Sequence, residues 1–169
     1  MSSELEFKPC WACKYNDRGF PCRNADGSVN VELLAARYIK FCEKPATEHK
    51  GEDWWPFECL HDLADAAPAV TFRCVLSALP LCETDHQISV LAAGPLEELV
   101  RKHGPLMIAD IERAAAADAR FRYLLSGIWG GPHAEPEVWK RVQAAVRSGP
   151  WLDDDPRTPQ GSEKSGAPD

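Results

Sequence analysis

The chain has 169 residues, with 19 Lys and Arg against 26 Asp and Glu and a net charge of −7. That length suits one domain, and 44% hydrophobic residues are enough for a packed core. The acidic balance argues against a general nucleic-acid binder, whose affinity comes mainly from basic charge, though not against a local basic patch. No apolar run nears the roughly 20 residues of a membrane-spanning helix.

Residues 1–28 carry Cys10, Cys13 and Cys22 and read as a loop-like, cysteine-bearing N-terminal segment. The start, Met1 to Glu6, lacks a basic region followed by an apolar stretch, so no secretory signal is read and the expected compartment is the cytoplasm. Residues 29–150 form the predicted helical domain. Val31, Leu34, Ala35, Tyr38 and Cys42 recur at helical spacing behind Asn30, a suitable N-cap. Pro56 opens a second helix with Cys59, Leu60, Leu63 and Ala64 inward. Pro68 opens a third through Phe72, Val75 and Leu79, which Pro80 stops. Thr84-Asp85-His86-Gln87 is a capping box ahead of Ile88 and Leu91. Gly94-Pro95 predicts one helix ending and another beginning, and Gly104-Pro105 predicts the same break again. Ile108 and Ile111 lead into the next helix. Asp118 caps one carrying Phe121, Leu124 and Leu125, and Pro136 starts the last, through Val138, Trp139 and Val142. Residues 151–169 are rich in Pro, Gly, Ser and acid and predict a disordered tail.

No stretch alternates with period two for long. The expected class is therefore all-α, a compact multi-helix bundle or a short stack of helix pairs. Leu91-Ala92-Ala93-Gly94-Pro95-Leu96-Glu97-Glu98-Leu99-Val100, then Phe121 to Trp129, then Val138-Trp139-Lys140-Arg141-Val142 follow one another in order. Together they resemble an uncharacterised bacterial domain-of-unknown-function family over roughly residues 31–146. The resemblance implies a bacterial helical domain and carries no established activity.

The strongest chemical signal is Cys10-Trp11-Ala12-Cys13 with Cys22 downstream. A two-residue spacer lets both thiolates face one Zn²⁺, which takes four ligands tetrahedrally. Cys42 is the best candidate for the fourth ligand and His49 the next. Three unrelated reduced cysteines are the competing reading, and a redox dithiol is a weaker one. Cys59 and Cys74 sit beside apolar positions and read as core. His61 and Asp65 share a helix face four residues apart. That spacing suits acid–base work only if another helix supplies a partner, and a surface pair is the plainer reading. His103 is placed at a helix end, and Glu97 and Glu98 in a first turn, where each complements the helix dipole. Arg113, Arg120 and Arg122 gather near one helix junction, where they read either as an anion site or as surface charge balancing Asp110, Glu112 and Asp118.

Six tryptophans remain. Trp129 and Trp139 are expected to pin helices in the core. Trp54 and Trp55 follow an acidic loop, and exposed aromatics of that kind anchor interfaces. The expected function is a small protein–protein interaction module. One concrete version is an immunity- or antitoxin-type protein that meets a basic partner through Trp54, Trp55, Asp62, Asp65, Glu97 and Glu98. The alternative is a zinc-stabilised adaptor built on Cys10, Cys13, Cys22 and Cys42. The third possibility is an enzyme using His61 or His103.

Overall fold

The structure is a computed structural model that describes residues 22–129 and 133–152. Its described residues form α1 (Val31–Phe41), α2 (Trp55–Ala66), α3 (Pro68–Ala78), α4 (Asp85–Leu91), α5 (Glu97–Ala117), α6 (Ala119–Leu125) and α7 (Pro136–Ala145). Short 3₁₀ turns at Ala46–Glu48, Gly51–Trp54 and Leu79–Leu81 join the early helices. No strand is present among the described residues, and the class is all-α. None of the described helices is long and apolar enough to cross a membrane.

Local chemistry sets most of the helix ends. The Asn30 side chain accepts from the Leu33 amide at 2.9 Å and caps α1. Thr84 Oγ1 accepts from the Gln87 amide, and Gln87 Oε1 accepts from the Thr84 amide, closing the capping box of α4. Asp118 accepts from the Arg120 amide at the start of α6. Pro56, Pro68 and Pro136 stand in the first turns of α2, α3 and α7, where a missing N–H costs nothing.

Helices α1, α2 and α3 pack on one another, and α3 also touches α5 and the turn that precedes α5. Leu34, Leu60, Leu63, Leu91, Leu99, Ile108, Ile111, Phe121 and Leu124 fill the centre. The Phe72 and Phe121 rings meet edge to face at 5.9 Å, joining α3 to α6. Cys22 is fully buried and its carbonyl accepts from the Asn30 amide, so the chain joins the core before residue 29. Leu152 donates its amide to Ser126 Oγ at 2.8 Å and packs against the core.

Both Gly-Pro pairs interrupt the helical path, as expected, with non-helical backbone at Gly94 and at His103. At Ala92–Leu96 one helix passes into the next through a wide π-turn, kinked at Gly94 (φ −93°, ψ −106°), in which the Glu97 amide reaches back to the Ala92 carbonyl. At the second pair α5 runs on from Glu97 to Ala117, bent at His103. Pro105 has no N–H for the Arg101 carbonyl and its ring crowds that oxygen, which accounts for the bend. Gly104 is needed for close approach rather than for a stop, since a Cβ there would lie 2.7 Å from Val138 Cγ1 of α7. Trp129 departs from its predicted core role. Its ring is 68% exposed, while its backbone amide donates to Glu97 Oε2 at 2.8 Å. Trp139 is half-buried and packs against the core.

Because Gly104 and Val138 compete for the same space, Gly104→Ala is expected to cost less in a Val138→Ala background than in the wild type. A double-mutant cycle from urea midpoints should give a coupling of about 1 kcal/mol or more.

Candidate functional site

The π-turn between α4 and α5 leaves a cavity of about 250 Å³ against α1 and α2, lined by Tyr38, Phe57, His61, Gly94, Pro95 and Glu98 among others. Tyr38 stands on the inward face of α1 and is 1% exposed, yet its hydroxyl has no hydrogen-bond partner among the described residues. A buried hydroxyl without a partner costs about 1–3 kcal/mol. The turn is what leaves it room, since a Cβ on Gly94 would lie 2.8 Å from the Tyr38 oxygen. Burial, reinforced by the nearby Cys42 and Glu98, pushes the phenol far above its ordinary pKa. Tyr38 therefore stays a neutral O–H able to donate.

Across the cavity, His61 Nδ1 lies 2.9 Å from Glu98 Oε1 and 3.0 Å from Oε2. A carboxylate only accepts, so Nδ1 carries the proton, and in the neutral ring Nε2 keeps its lone pair. The imidazole lies parallel to the Phe57 ring, with the centroids 6.4 Å apart. Its side chain is 48% exposed and that of Glu98 only 18%. One turn further along, Lys102 Nζ donates to Asp65 Oδ1 at 2.6 Å and reaches Glu98 Oε1 at 3.4 Å. Positions 61 and 65 of α2 thus meet 98 and 102 of α5 as two rungs. The partner from another helix that His61 needs is Glu98, and Asp65 is bound to Lys102 instead. The pocket combines a fixed donor, an acceptor and a carboxylate-oriented imidazole, which suits recognition of a polar group or relay of a proton.

His103 lies at the bend inside α5, close enough to Asp65 to influence it. Glu97 accepts from the Trp129 amide. Trp54 and Trp55 are both half-buried. The Trp54 ring meets those of Phe41, His49 and Phe57 at 5.2, 5.6 and 5.7 Å, and Trp55 packs against the core. Asp62 is half-buried on α2. The arginine trio does not converge on one point. Arg113 pairs with Asp110, while Arg120 and Arg122 donate to the carbonyls of Cys82 and Ala115.

The proposed zinc set falls partly outside the described residues. Cys10 and Cys13 lie outside the described residues. Cys22 joins the chain at the start of α1, whereas Cys42 caps its end, separated by eleven residues of helix or about 16 Å. His49 stacks on Phe41 at 3.9 Å, at the Cys42 end of α1, and is equally remote from Cys22. Among the described residues, no three His, Cys, Asp or Glu gather as a metal site. Burial pushes the Cys42 and Cys74 thiols up to about 12 and that of Cys82 to about 11, as expected for inert core cysteines.

A larger cavity of about 410 Å³ opens between α6 and α7, beside Ile128, Trp139, Val142 and Trp151. It is mainly apolar, and its hydroxyl, Ser126 Oγ, already donates to the Tyr123 carbonyl and accepts from Leu152. The chemistry lies in the smaller pocket.

The sequence profile of DUF6869, described as a family of unknown function, matches residues 43–149. The chain belongs to the DUF6869 family. No curated protein and no solved structure matches it. The DUF6869 match takes in His61, Gly94, Pro95 and Glu98, but begins beyond α1 and so beyond Tyr38. The family frame thus supplies the turn and the His–Glu pair, and the preceding helix supplies the buried phenol. Sequence reasoning took Tyr38 only as a core position. The available signal was that it is the one inward residue of α1 with a polar tip.

Two outcomes follow. Tyr38→Phe should leave the unfolding free energy unchanged or raise it by up to about 1 kcal/mol, since the hydroxyl has no protein partner to lose; the urea midpoint measures this. The hydrogen bond from Lys102 holds the Asp65 carboxyl below its usual value. Its contribution is therefore complete above about pH 4 and lost as the pH falls through the lower folded value. Asp65 is 58% exposed, so the effect is small. Lys102→Met should move the Asp65 titration, followed by carboxyl NMR, up toward about 3.9.

Proposed function

We propose that this DUF6869 protein is an interaction module that receives a polar side chain of a partner protein in the Tyr38–His61 pocket. The observation that carries the reading is the buried Tyr38 hydroxyl without a partner, held open by Gly94. Donors left orphaned in the free protein are satisfied when the right group arrives, and that difference gives specificity.

Size selects among ligands. Drug-sized molecules occupy roughly 300–1,000 Å³, and this cavity is about 250 Å³. A single side chain fits it better than a cofactor. Tyr38 offers a donor and His61 Nε2 an acceptor, and a primary amide of Asn or Gln answers both. The half-buried rings of Trp54 and Phe41 and the exposed Phe57 supply an aromatic rim around it.

The test is an NMR titration of the full chain with N-acetylglutamine amide, using N-acetylnorleucine amide as the apolar control. A ligand of about a dozen atoms at about 0.3 kcal/mol each binds in the millimolar range. The expected result is glutamine-selective shifts of the Ala93 and Gly94 amides and the His61 ring, lost in Tyr38→Phe and in Gly94→Ala. Equal shifts from both compounds, or shifts that survive Tyr38→Phe, overturn the reading.

A further inference from the structure

Beside the Tyr38 pocket, on the other side of the Phe41 ring, lies a smaller cavity of about 150 Å³ lined by Arg37, Lys40, Lys44, His49, Asp53 and Trp55, among others. Helical spacing explains the cluster. Positions 37, 40 and 44 follow one another at three and four residues and fall on one side of α1 and its C-terminal turn, away from the buried Leu34 and Ala35. Like charges at these spacings repel and weaken a helix.

Elsewhere in the described chain, Arg101, Lys102, Arg113, Lys140 and Arg141 each meet a carboxylate. Arg37, Lys40 and Lys44 meet none among the described residues. The one carboxylate in the cavity wall, Asp53, accepts from the Lys50 amide. His49 Nε2 donates to the Lys44 carbonyl at 3.2 Å, and its ring stacks on Phe41 at 3.9 Å, fixing the floor. The helix dipole accounts for a cation at Lys40, in the last turn of α1. It does not account for Arg37, nor for all three sharing a cavity with Trp55. In a chain of net charge −7 this is a concentrated basic spot with an aromatic wall.

We infer that this cavity is an anion site that takes a carboxylate side chain from an acidic segment of the partner protein. The inference rests on the reading that the aromatic rim seats a partner protein, and it states the charge of that partner. The acids expected to form a negative recognition face are largely spent within the chain, Glu98 and Asp65 on His61 and Lys102, and Glu97 on Trp129. Cations without counter-ions remain at the rim, so charge complementarity there calls for an acidic segment. The Phe41 and Phe57 rings, 5.7 Å apart, separate the two cavities. That is a short step for an extended peptide that places one residue in each.

The experiment is a titration of the full chain with hexaglutamate at low salt, followed by backbone amide NMR. Parallel titrations use inorganic phosphate and N-acetylglutamine amide. Hexaglutamate is expected to shift the amides of residues 37–44 and 49–55, with affinity falling as salt rises. Lys40→Glu/Lys44→Glu should weaken it at least tenfold. Lys140→Glu on α7 should leave it unchanged. If the double reversal disturbs α1, judged by circular dichroism, Lys40→Gln/Lys44→Gln serves instead, with a loss of threefold or more expected. Absence of hexaglutamate shifts in this region, or equal weakening by Lys140→Glu, overturns the anion site. So does phosphate that binds as tightly as the peptide, because the site is then for a small anion. Failure of hexaglutamate while the glutamine amide still binds leaves the Tyr38 pocket standing. Failure of the glutamine amide alone removes that pocket and not the anion site.

Discussion

The missing N–H of Pro95 is the constraint on which the candidate site depends. A regular helix through this point would need that N–H to bond the carbonyl four residues back, at Leu91, and the proline ring would strike the same oxygen. The chain widens by one residue, and the Glu97 amide bonds the Ala92 carbonyl five residues back. Three results follow together. Gly94 is carried over the end of the Tyr38 side chain, where only a residue without a Cβ fits. Glu98 is turned toward His61. The floor between them stays unfilled.

Charge in this region is arranged by the same geometry. With α2 and α5 in register, His61 and Asp65 cannot both use one another and also meet α5. Glu98 and Lys102 offer each a partner of complementary character, and the two rungs form. The acidic residues on this side are thereby drawn into the fold. The net charge of −7 then says little about the recognition face. What matters at close range is which charges lack counter-ions, and beside this site those are the cations of α1.

The parts of the fold legible in the sequence are the ones determined within a few residues. Asn30, the Thr84–Gln87 box, Asp118 and the prolines at 56, 68 and 136 act on amides three or four positions away, and each does what its spacing implies. Gly-Pro was ambiguous because the same dipeptide ends a helix, bends it or widens it. Val138 against Gly104, and Tyr38 against Gly94, decide between these outcomes, and both contacts are distant in sequence. Cysteine spacing carries no information about the length of helix between Cys22 and Cys42. Of the candidate site, His61, Asp65 and Glu98 were each singled out, but their pairing was not, because it depends on the register of two helices. Tyr38 escaped altogether, since an orphaned hydroxyl and a satisfied one have the same sequence signature.

A buried phenol without a partner is a standing cost, about 1–3 kcal/mol against the 5–15 kcal/mol that a domain of this kind has in hand. Phenylalanine at position 38 would fill the same space without it. The hydroxyl faces the cavity beside Gly94 rather than a close-packed wall, which is the observation on which the proposed reading rests. Its position in the chain sharpens the point. The turn and the His61–Glu98 pair belong to the frame matched by the family, whereas Tyr38 and two of the three basic residues at the neighbouring cavity lie on the helix before it. A frame that holds its shape through α2 to α7 can accept different side chains from α1, and so present different chemistry at one pocket without being rebuilt.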